Sequence, residues 1–375
     1  MKTSYRITTV LGIPLEINIS WFIILGLVIF TLAKGYFPIQ VPNLSLTTYW
    51  AMGLVTAILL FICLLLHELS HSVVAKINKL PIAGITLFVF GGVAHMVKEP
   101  QTPKVEFKMA IAGPIMSILL SLIFWIASIV AMHFDLPQVV WIITDYLSFF
   151  NLAVAIFNMM PGFPLDGGRI LRAVIWHFTK NLKKATRIAS VFGEGFAILL
   201  MSLGILGLIT SNFVSGVWFI FLGFFLLEAA QMSYRQLVIK KAFSGLKVKD
   251  IMSKNIISVP DNISIRDLID EYFFRYKHSC FPIIKDDSLL GIVNFHDVKG
   301  TSKEHWAHKT SVEIMIPINE NIIIAENSPV EEAFQQLAQN GIGRLLVIRG
   351  DKLVGILSQS DIVKLFKVKL EADKI

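Results

Sequence analysis

From about residue 18 to residue 232 the chain alternates long apolar runs with short polar breaks, and from about residue 245 charge returns at the density of an ordinary soluble domain. An apolar run of about 18 residues or more can cross a hydrocarbon layer of about 30 Å as a helix. Six such runs fall at about 18–36, 50–76, 107–133, 138–160, 190–211 and 213–232. Two stretches depart from the pattern. Ile85 to Met96 is rich in strand formers and interrupted by Gly91 and Gly92, which predicts a hairpin or re-entrant ribbon. Such backbone is tolerated at membrane depth only where protein or a water-filled cavity satisfies it. The fourth run ends in Pro161-Gly162-Phe163-Pro164-Leu165-Asp166-Gly167-Gly168-Arg169, which cannot continue as a regular helix. The prediction is a polytopic α-helical membrane domain over 1–232, with about six spans and a short membrane-embedded β hairpin. A linker over 233–247 and a soluble α/β domain over 248–375 follow.

The soluble part repeats itself after about 64 residues. Asp250-Ile251-Met252 recurs as Glu313-Ile314-Met315, Cys280-Phe281-Pro282-Ile283-Ile284 as Arg344-Leu345-Leu346-Val347-Ile348, and Gly291-Ile292-Val293 with Asp297 as Gly355-Ile356-Leu357 with Asp361. Each unit reads as a short strand, a helix, two strands and a helix, and two such units pair to bury what neither buries alone.

Composition agrees: 54% of the 375 residues are hydrophobic, only 16% are charged, and the mean hydropathy is +0.66. The net charge of +7 is spread over connections rather than gathered in one basic stripe, so no nucleic-acid partner is expected. Connections after the even-numbered runs carry Lys76, Lys79, Lys98, Lys104 and Lys108, then Arg169, Arg172, Lys180, Lys183, Lys184 and Arg187, then Arg235, Lys240 and Lys241. Those after the odd-numbered runs carry almost none, Lys34 excepted. This bias predicts a multi-pass protein of the cell membrane with its N-terminus and soluble tail in the cytoplasm. No removable signal peptide is expected, and Cys63 and Cys280, in separate parts of the chain, imply no disulfide framework.

Candidate chemistry sits in the second run as His67-Glu68-Leu69-Ser70-His71. On a helix the two histidines lie one turn apart on one face and can reach one zinc ion, with Glu68 beside the open position as general base. An acid in an apolar span is costly without a partner or a wet cavity, so the alternative is a proton relay or an interhelical polar contact. Asp166, at the broken end of the fourth run, is the candidate third ligand. Gly167 and Gly168 beside it leave room for metal and substrate. Its alternative role is to cap the helix that begins near Arg169.

His67-Glu68-Leu69-Ser70-His71, then Ala112-Gly113-Pro114, then Asn158-Met159-Met160-Pro161-Gly162-Phe163-Pro164-Leu165-Asp166-Gly167-Gly168-Arg169 resemble, in this order, the signature motifs of the site-2 protease family of intramembrane metalloproteases. The resemblance covers the whole membrane part. It implies His67, His71 and Asp166 as ligands of one Zn²⁺ per chain, Glu68 as catalytic base, and Asn158 as a polar helper near the substrate or oxyanion. For Asn158 an interhelical hydrogen bond is the alternative. The implied activity is zinc-dependent endopeptidase cleavage of membrane-spanning protein substrates, with Glu68 taking a proton from the attacking water and passing it to the leaving amine. A substrate helix must unwind to expose its amides. The ribbon at Gly91 and Gly92 can accept the extended segment by strand addition, or can serve only as a packing hairpin.

The repeat over 248–367 resembles tandem cystathionine beta-synthase (CBS) domains, which often bind adenine nucleotides between repeats. The family's pattern of a hydroxyl residue three before an Asp appears as Ser358-Gln359-Ser360-Asp361. By that resemblance Asp361 holds ribose, Ser358 a phosphate, and Arg344 supplies a phosphate cation for ATP, ADP or AMP. The first repeat has Asn294 in the hydroxyl position before Asp297, a departure that sets Asp297 apart. The alternatives are that both aspartates cap helices and that the pair is a homodimerisation module. Two other functions compete with proteolysis: a transporter or channel gated by nucleotide, which leaves the HExxH motif and the distant PLDGGR unexplained, and an inactive membrane-protein binding scaffold.

Overall fold

The long helices fall on the apolar runs, and several extend beyond them into polar, capped turns. The computed structural model describes residues 4–372, apart from 90, 98, 211, 212, 244 and 287. Two compact units divide the chain, Met1–Arg235 and Gln236–Ile375. Six helices are long and apolar enough to cross a membrane among the described residues. The first comprises α1 (Ser20–Thr31), a π-helical stretch (Leu32–Tyr36) and α2 (Phe37–Gln40). The others are α3 (Leu46–Ile77), α4 (Pro103–His133), α5 (Gln138–Asn158), then, after the short α6 (Asp166–Thr179), α7 (Leu182–Ile209) and α8 (Phe213–Phe243). Helices α4 and α7 start earlier than their apolar runs. Their first turns carry Lys104 and Lys108, and Lys183, Lys184 and Arg187, and are fixed by Thr102 and Asn181, whose side chains accept from Val105 N and Lys184 N. Hydropathy sees only the lipid-compatible part of a helix. Residues 233–243 of the expected linker are helical, as the end of α8.

The expected ribbon is present as β3 (Ile82–Phe88) antiparallel to β4 (Gly91–Met96). The two glycines lie within β4, after the turn, and Gly91 has φ +119°. Phe90 of the ribbon and Lys98 of the basic connection lie outside the described residues. The pattern gave no element before residue 18, yet β1 (Ser4–Val10) and β2 (Ile13–Asn18) form a hairpin whose turn, Leu11-Gly12, has φ values of 52° and 75°. Strand β2 runs parallel to β3, giving a four-stranded sheet in the order β1-β2-β3-β4. Buried Ile13, Leu15 and Ile85 pack with Leu65 and Leu69 of α3, so the sheet lies on the helix that bears the HExxH motif.

In the second unit, α9 (Val248–Ile251), β5 (Val259–Pro260), a helix assembled from α10 (Ile265–Asp267), a π-helical stretch and α11 (Phe274–Tyr276), β6 (Cys280–Lys285), β7 (Ser288–Asn294) and α12 (Phe295–Lys299) make the first repeat. The second has α13 (Ser311–Ile314), β8 (Ile316–Pro317), β9 (Ile323–Ala325), α14 (Val330–Gln339), β10 (Arg344–Arg349), β11 (Lys352–Ser358) and α15 (Gln359–Ala372). The repeats exchange their opening segments. Ser253 bonds Ile356 of β11 in both directions, at 2.9 and 3.0 Å, and β8 pairs with β7. A Cβ on Gly355 would lie 2.5 Å from Met252 Sδ, and one on Gly291 would strike the Ile316 carbonyl and lie 3.2 Å from Met315 Sδ. The recurring Met and the recurring Gly are thus two halves of one contact, made twice.

Candidate metal centre

Helix α3 presents His67 and His71 on one face, both buried, with their Nε2 atoms 3.3 Å apart. Asp166, first residue of α6, brings Oδ2 to 3.2 Å from each. Donors bound tetrahedrally to zinc at about 2.0–2.1 Å stand about 3.3–3.4 Å from one another, so this spacing is that of a zinc ligand set. The opposite ring nitrogens are held too. His71 Nδ1 donates to the Met109 carbonyl at 2.6 Å, which leaves Nε2 with its lone pair toward the other donors, and His67 Nδ1 is 2.8 Å from Ser117 Oγ. Gly113 of α4 closes the cradle: a Cβ there would fall on His71 Nε2 and lie 2.5 Å from His67 Nε2. Donor types, spacing, tautomer and space all fit zinc.

Glu68 follows His67 and is half-buried. A Cβ on Gly92 would lie 2.5 Å from Glu68 Cγ, so β4 crosses directly over this side chain. Its carboxylate has no hydrogen-bond partner among the described residues.

Comparison with known proteins decides what the centre belongs to. Peptidase family M50 matches residues 55–140 and 138–202, and the CBS domain family matches 248–303 and 312–368. A Synechocystis sp. protein named as a zinc metalloprotease is 36% identical over 367 residues, 97% of this chain and 96% of that one. A zinc metalloprotease of Methanocaldococcus jannaschii is 30% identical over 371 residues, 98% of this chain and 97% of that one. The chain belongs to peptidase family M50, the site-2 proteases. A solved site-2 protease from M. jannaschii, 31% identical, covers 62% of this chain and 95% of that chain with a TM-score of 0.43. The family matches, the two relatives and the six apolar helices make this M50 protease a multi-pass zinc metalloendopeptidase with a tandem CBS tail.

The turn that delivers Asp166 in this protease is built on glycine for a reason other than the expected one. A Cβ on Gly167 would strike the Met159 and Met160 carbonyls, one on Gly168 the backbone of Gly162 and Phe163, and one on Gly162 the backbone of Gly193 in α7. What Gly167 and Gly168 clear is the chain's own tightly folded turn rather than a path for metal and substrate. Among the described residues Asp166 makes no capping bond for α6; its carboxylate is turned to the histidines.

Asn158 ends α5 and donates from Nδ2 to the Val154 carbonyl of its own helix at 3.0 Å; among the described residues it makes no hydrogen bond to the three metal-site side chains. Two charged residues near the centre escaped the sequence reading. Glu106 of α4 and Arg172 of α6 form a buried ion pair, with Arg172 Nε donating to Glu106 Oε1 at 2.6 Å. In the sequence Arg172 reads only as part of the basic connection. The signal available was an acid at the edge of an apolar run, which needs a partner.

In the tail, Ser358 and Asp361 bond each other: Ser358 N and Oγ donate to Asp361 Oδ2, and Asp361 N donates to Ser358 Oγ. This is an N-terminal cap on α15. Asp297 caps α12 in the same way, accepting from Asn294 N. Arg344 Nη1 donates to the Gly343 carbonyl, and its guanidinium lies near Cys280, whose thiol burial pushes up to about 11.

Proposed function

We propose that His67, His71 and Asp166 hold one catalytic zinc, that Glu68 is the general base, and that the enzyme cleaves transmembrane segments of membrane-anchored proteins within the bilayer. The observation that carries this reading is the convergence of three donors at 3.2–3.3 Å beside Glu68, with the two histidines on α3, one of the helices long and apolar enough to span, and Asp166 at the start of the short α6. Zinc, when bound, polarises the scissile carbonyl and makes the attacking water more acidic. Glu68 takes a proton from that water on its free carboxylate and delivers it to the leaving amide nitrogen. Asn158 donates to the substrate once it leaves Val154. Among the described residues strand β4 pairs only with β3, and it lies against Glu68, which supports its edge at Gly91 and Gly92 as the acceptor of an unwound substrate added as a strand.

Purified protein is expected to carry one zinc per chain and to cut a single-span substrate, with cleavage lost on chelation and restored by zinc. Asp166→Ala should lose most of the metal. Full zinc and activity in Asp166→Ala would assign the third ligand elsewhere, and a zinc-free, inactive wild type would favour the scaffold reading.

The distribution of basic residues supports a cytoplasmic N-terminus and tail. A cysteine introduced at Ser302 should resist an impermeant thiol reagent applied outside intact cells, and its labelling would invert the topology.

Adenine nucleotide binding to the CBS pair is proposed to modulate cleavage, with Asp297 as the first repeat's counterpart of Asp361. The Asp361 cap uses Oδ2, leaving the other carboxylate oxygen for ribose hydroxyls. Because Asp361→Ala removes the carboxylate half of the capping box in any case, while Ser358 Oγ still accepts from the backbone N of residue 361, the informative measurement is the ligand-dependent part. In full-length protein the variant should lose the nucleotide-induced rise in Tm and the nucleotide dependence of cleavage while keeping zinc and basal rate. An undiminished nucleotide-induced rise would reduce Asp361 to a cap. Regulation further requires unequal affinity for two tail conformations.

A further inference from the structure

Four positions on one face of α4, Glu106, Met109, Gly113 and Ser117, recur at helical spacing and are all buried. Three of them already serve the metal centre: the Met109 carbonyl fixes His71, Ser117 fixes His67, and Gly113 makes room for both Nε2 atoms. The fourth reaches the other helix of the site. Glu106, 1% exposed, is paired with Arg172, 9% exposed, one of the buried residues of α6, whose first residue is Asp166. The Arg172 guanidinium also lies 5.1 Å over the ring of Phe163, in the turn that feeds α6.

Stability alone is a poor account of this pair. Removing two charges from water carries a desolvation cost that their attraction often does not repay, and apolar replacements are often neutral or better. Here the desolvation is incompletely offset, because Glu106 Oε2 is buried without a hydrogen-bond partner. What the pair does provide is register. It ties α6 and its preceding turn to the same face of α4 that fixes both histidines, so all three donors are referenced to one helix.

We infer that Glu106 and Arg172 are positioning residues that set Asp166 against His67 and His71, raising zinc affinity without touching the metal. The inference rests on those three residues being the zinc ligands. It extends to two whole side chains the rule that groups behind metal ligands tune affinity by about 10–100-fold.

The test compares full-length wild type, Glu106→Gln and Arg172→Lys in detergent, measuring zinc affinity by chelator competition and Tm with and without zinc. Glu106→Gln keeps size and an acceptor but loses the charge; Arg172→Lys keeps charge but loses the planar fork. Zinc affinity should fall about tenfold or more in Glu106→Gln and by less in Arg172→Lys, and the zinc-induced rise in Tm should shrink in the same order. A merely structural pair destabilises zinc-free and zinc-loaded protein equally and leaves affinity unchanged. Unchanged affinity in both variants would therefore overturn the inference, whatever happens to Tm. If Glu106→Gln fails to fold, a reduced affinity in Arg172→Lys supports the inference and wild-type affinity there overturns it. A wild type that binds no zinc would instead overturn the ligand assignment, and the positioning role with it.

Discussion

Glu68→Gln is expected to retain zinc and fold while cleavage falls by about 10²–10⁴-fold, the contribution of a positioned acid–base group. The substitution is close to isosteric and keeps the Cγ against which Gly92 packs. It also breaks no hydrogen bond to the carboxylate among the described residues, so little structure depends on the charge. What is lost is the capacity to accept a proton from water and return it to the leaving nitrogen. The histidines keep their partners at Met109 and Ser117, so zinc content should stay at the wild-type level. Single-turnover cleavage of a single-span substrate, read beside zinc content on the same preparation, separates the two effects. The variant should also accumulate bound substrate. Wild-type turnover would remove Glu68 from the mechanism and leave the family's usual chemistry without a base in this chain.

Legibility in the sequence tracked the range of the interaction concerned. The spans were readable because each is a local apolar run, and their helical starts were misjudged where capped polar turns such as Thr102 to Lys108 precede the apolar part. His67, Glu68 and His71 were readable because their geometry follows from one turn of one helix. Asp166 was reachable through the Pro-Gly-rich break before it, although the glycines' purpose was not: a Cβ on Gly167 would strike Met159 and Met160 only once the turn is folded on itself, and one on Gly162 would strike Gly193 only once that turn packs on α7. The β1–β2 hairpin was missed because Tyr5 and Ile7 are exposed and its inner face depends on pairing with the distant β3. Glu106 and Arg172 were missed for the same reason, since nothing local marks two charges as partners. The tail poses a different problem. The Ser358–Asp361 pattern fits a ribose site and a helix cap alike, and in the structure Ser358 and Asp361 Oδ2 make the cap.

Gly113→Ala should change one of two measurements on one protein and leave the other near its wild-type value. Gly113 lies in the interior of α4, where replacing glycine by alanine ordinarily stabilises a helix by about 0.8–1.0 kcal/mol. At this position the added methyl falls on His71 Nε2 and lies 2.5 Å from His67 Nε2 and 2.6 Å from His71 Cε1. The rings have little freedom to withdraw, because their opposite nitrogens are held by Met109 and Ser117 at 2.6 and 2.8 Å. Retreat from the methyl therefore breaks those bonds or spreads the donors beyond the reach of one ion. Zinc affinity should fall by about 100-fold or more, at or beyond the upper end of what substitutions behind the ligands usually cost, and cleavage should fall with it. In the presence of chelator the variant should fold, with a Tm at or near that of zinc-free wild type, since the helix gain from alanine offsets the ring hydrogen bonds broken as the imidazoles retreat from the methyl. Chelator competition for zinc and thermal unfolding in chelator give the two readings. Wild-type zinc affinity in Gly113→Ala would mean that the His67 and His71 nitrogens do not converge in front of α4, and would remove the geometric basis of the site. A zinc-free Tm far below wild type would instead mark Gly113 as a packing requirement of the bundle, independent of the metal.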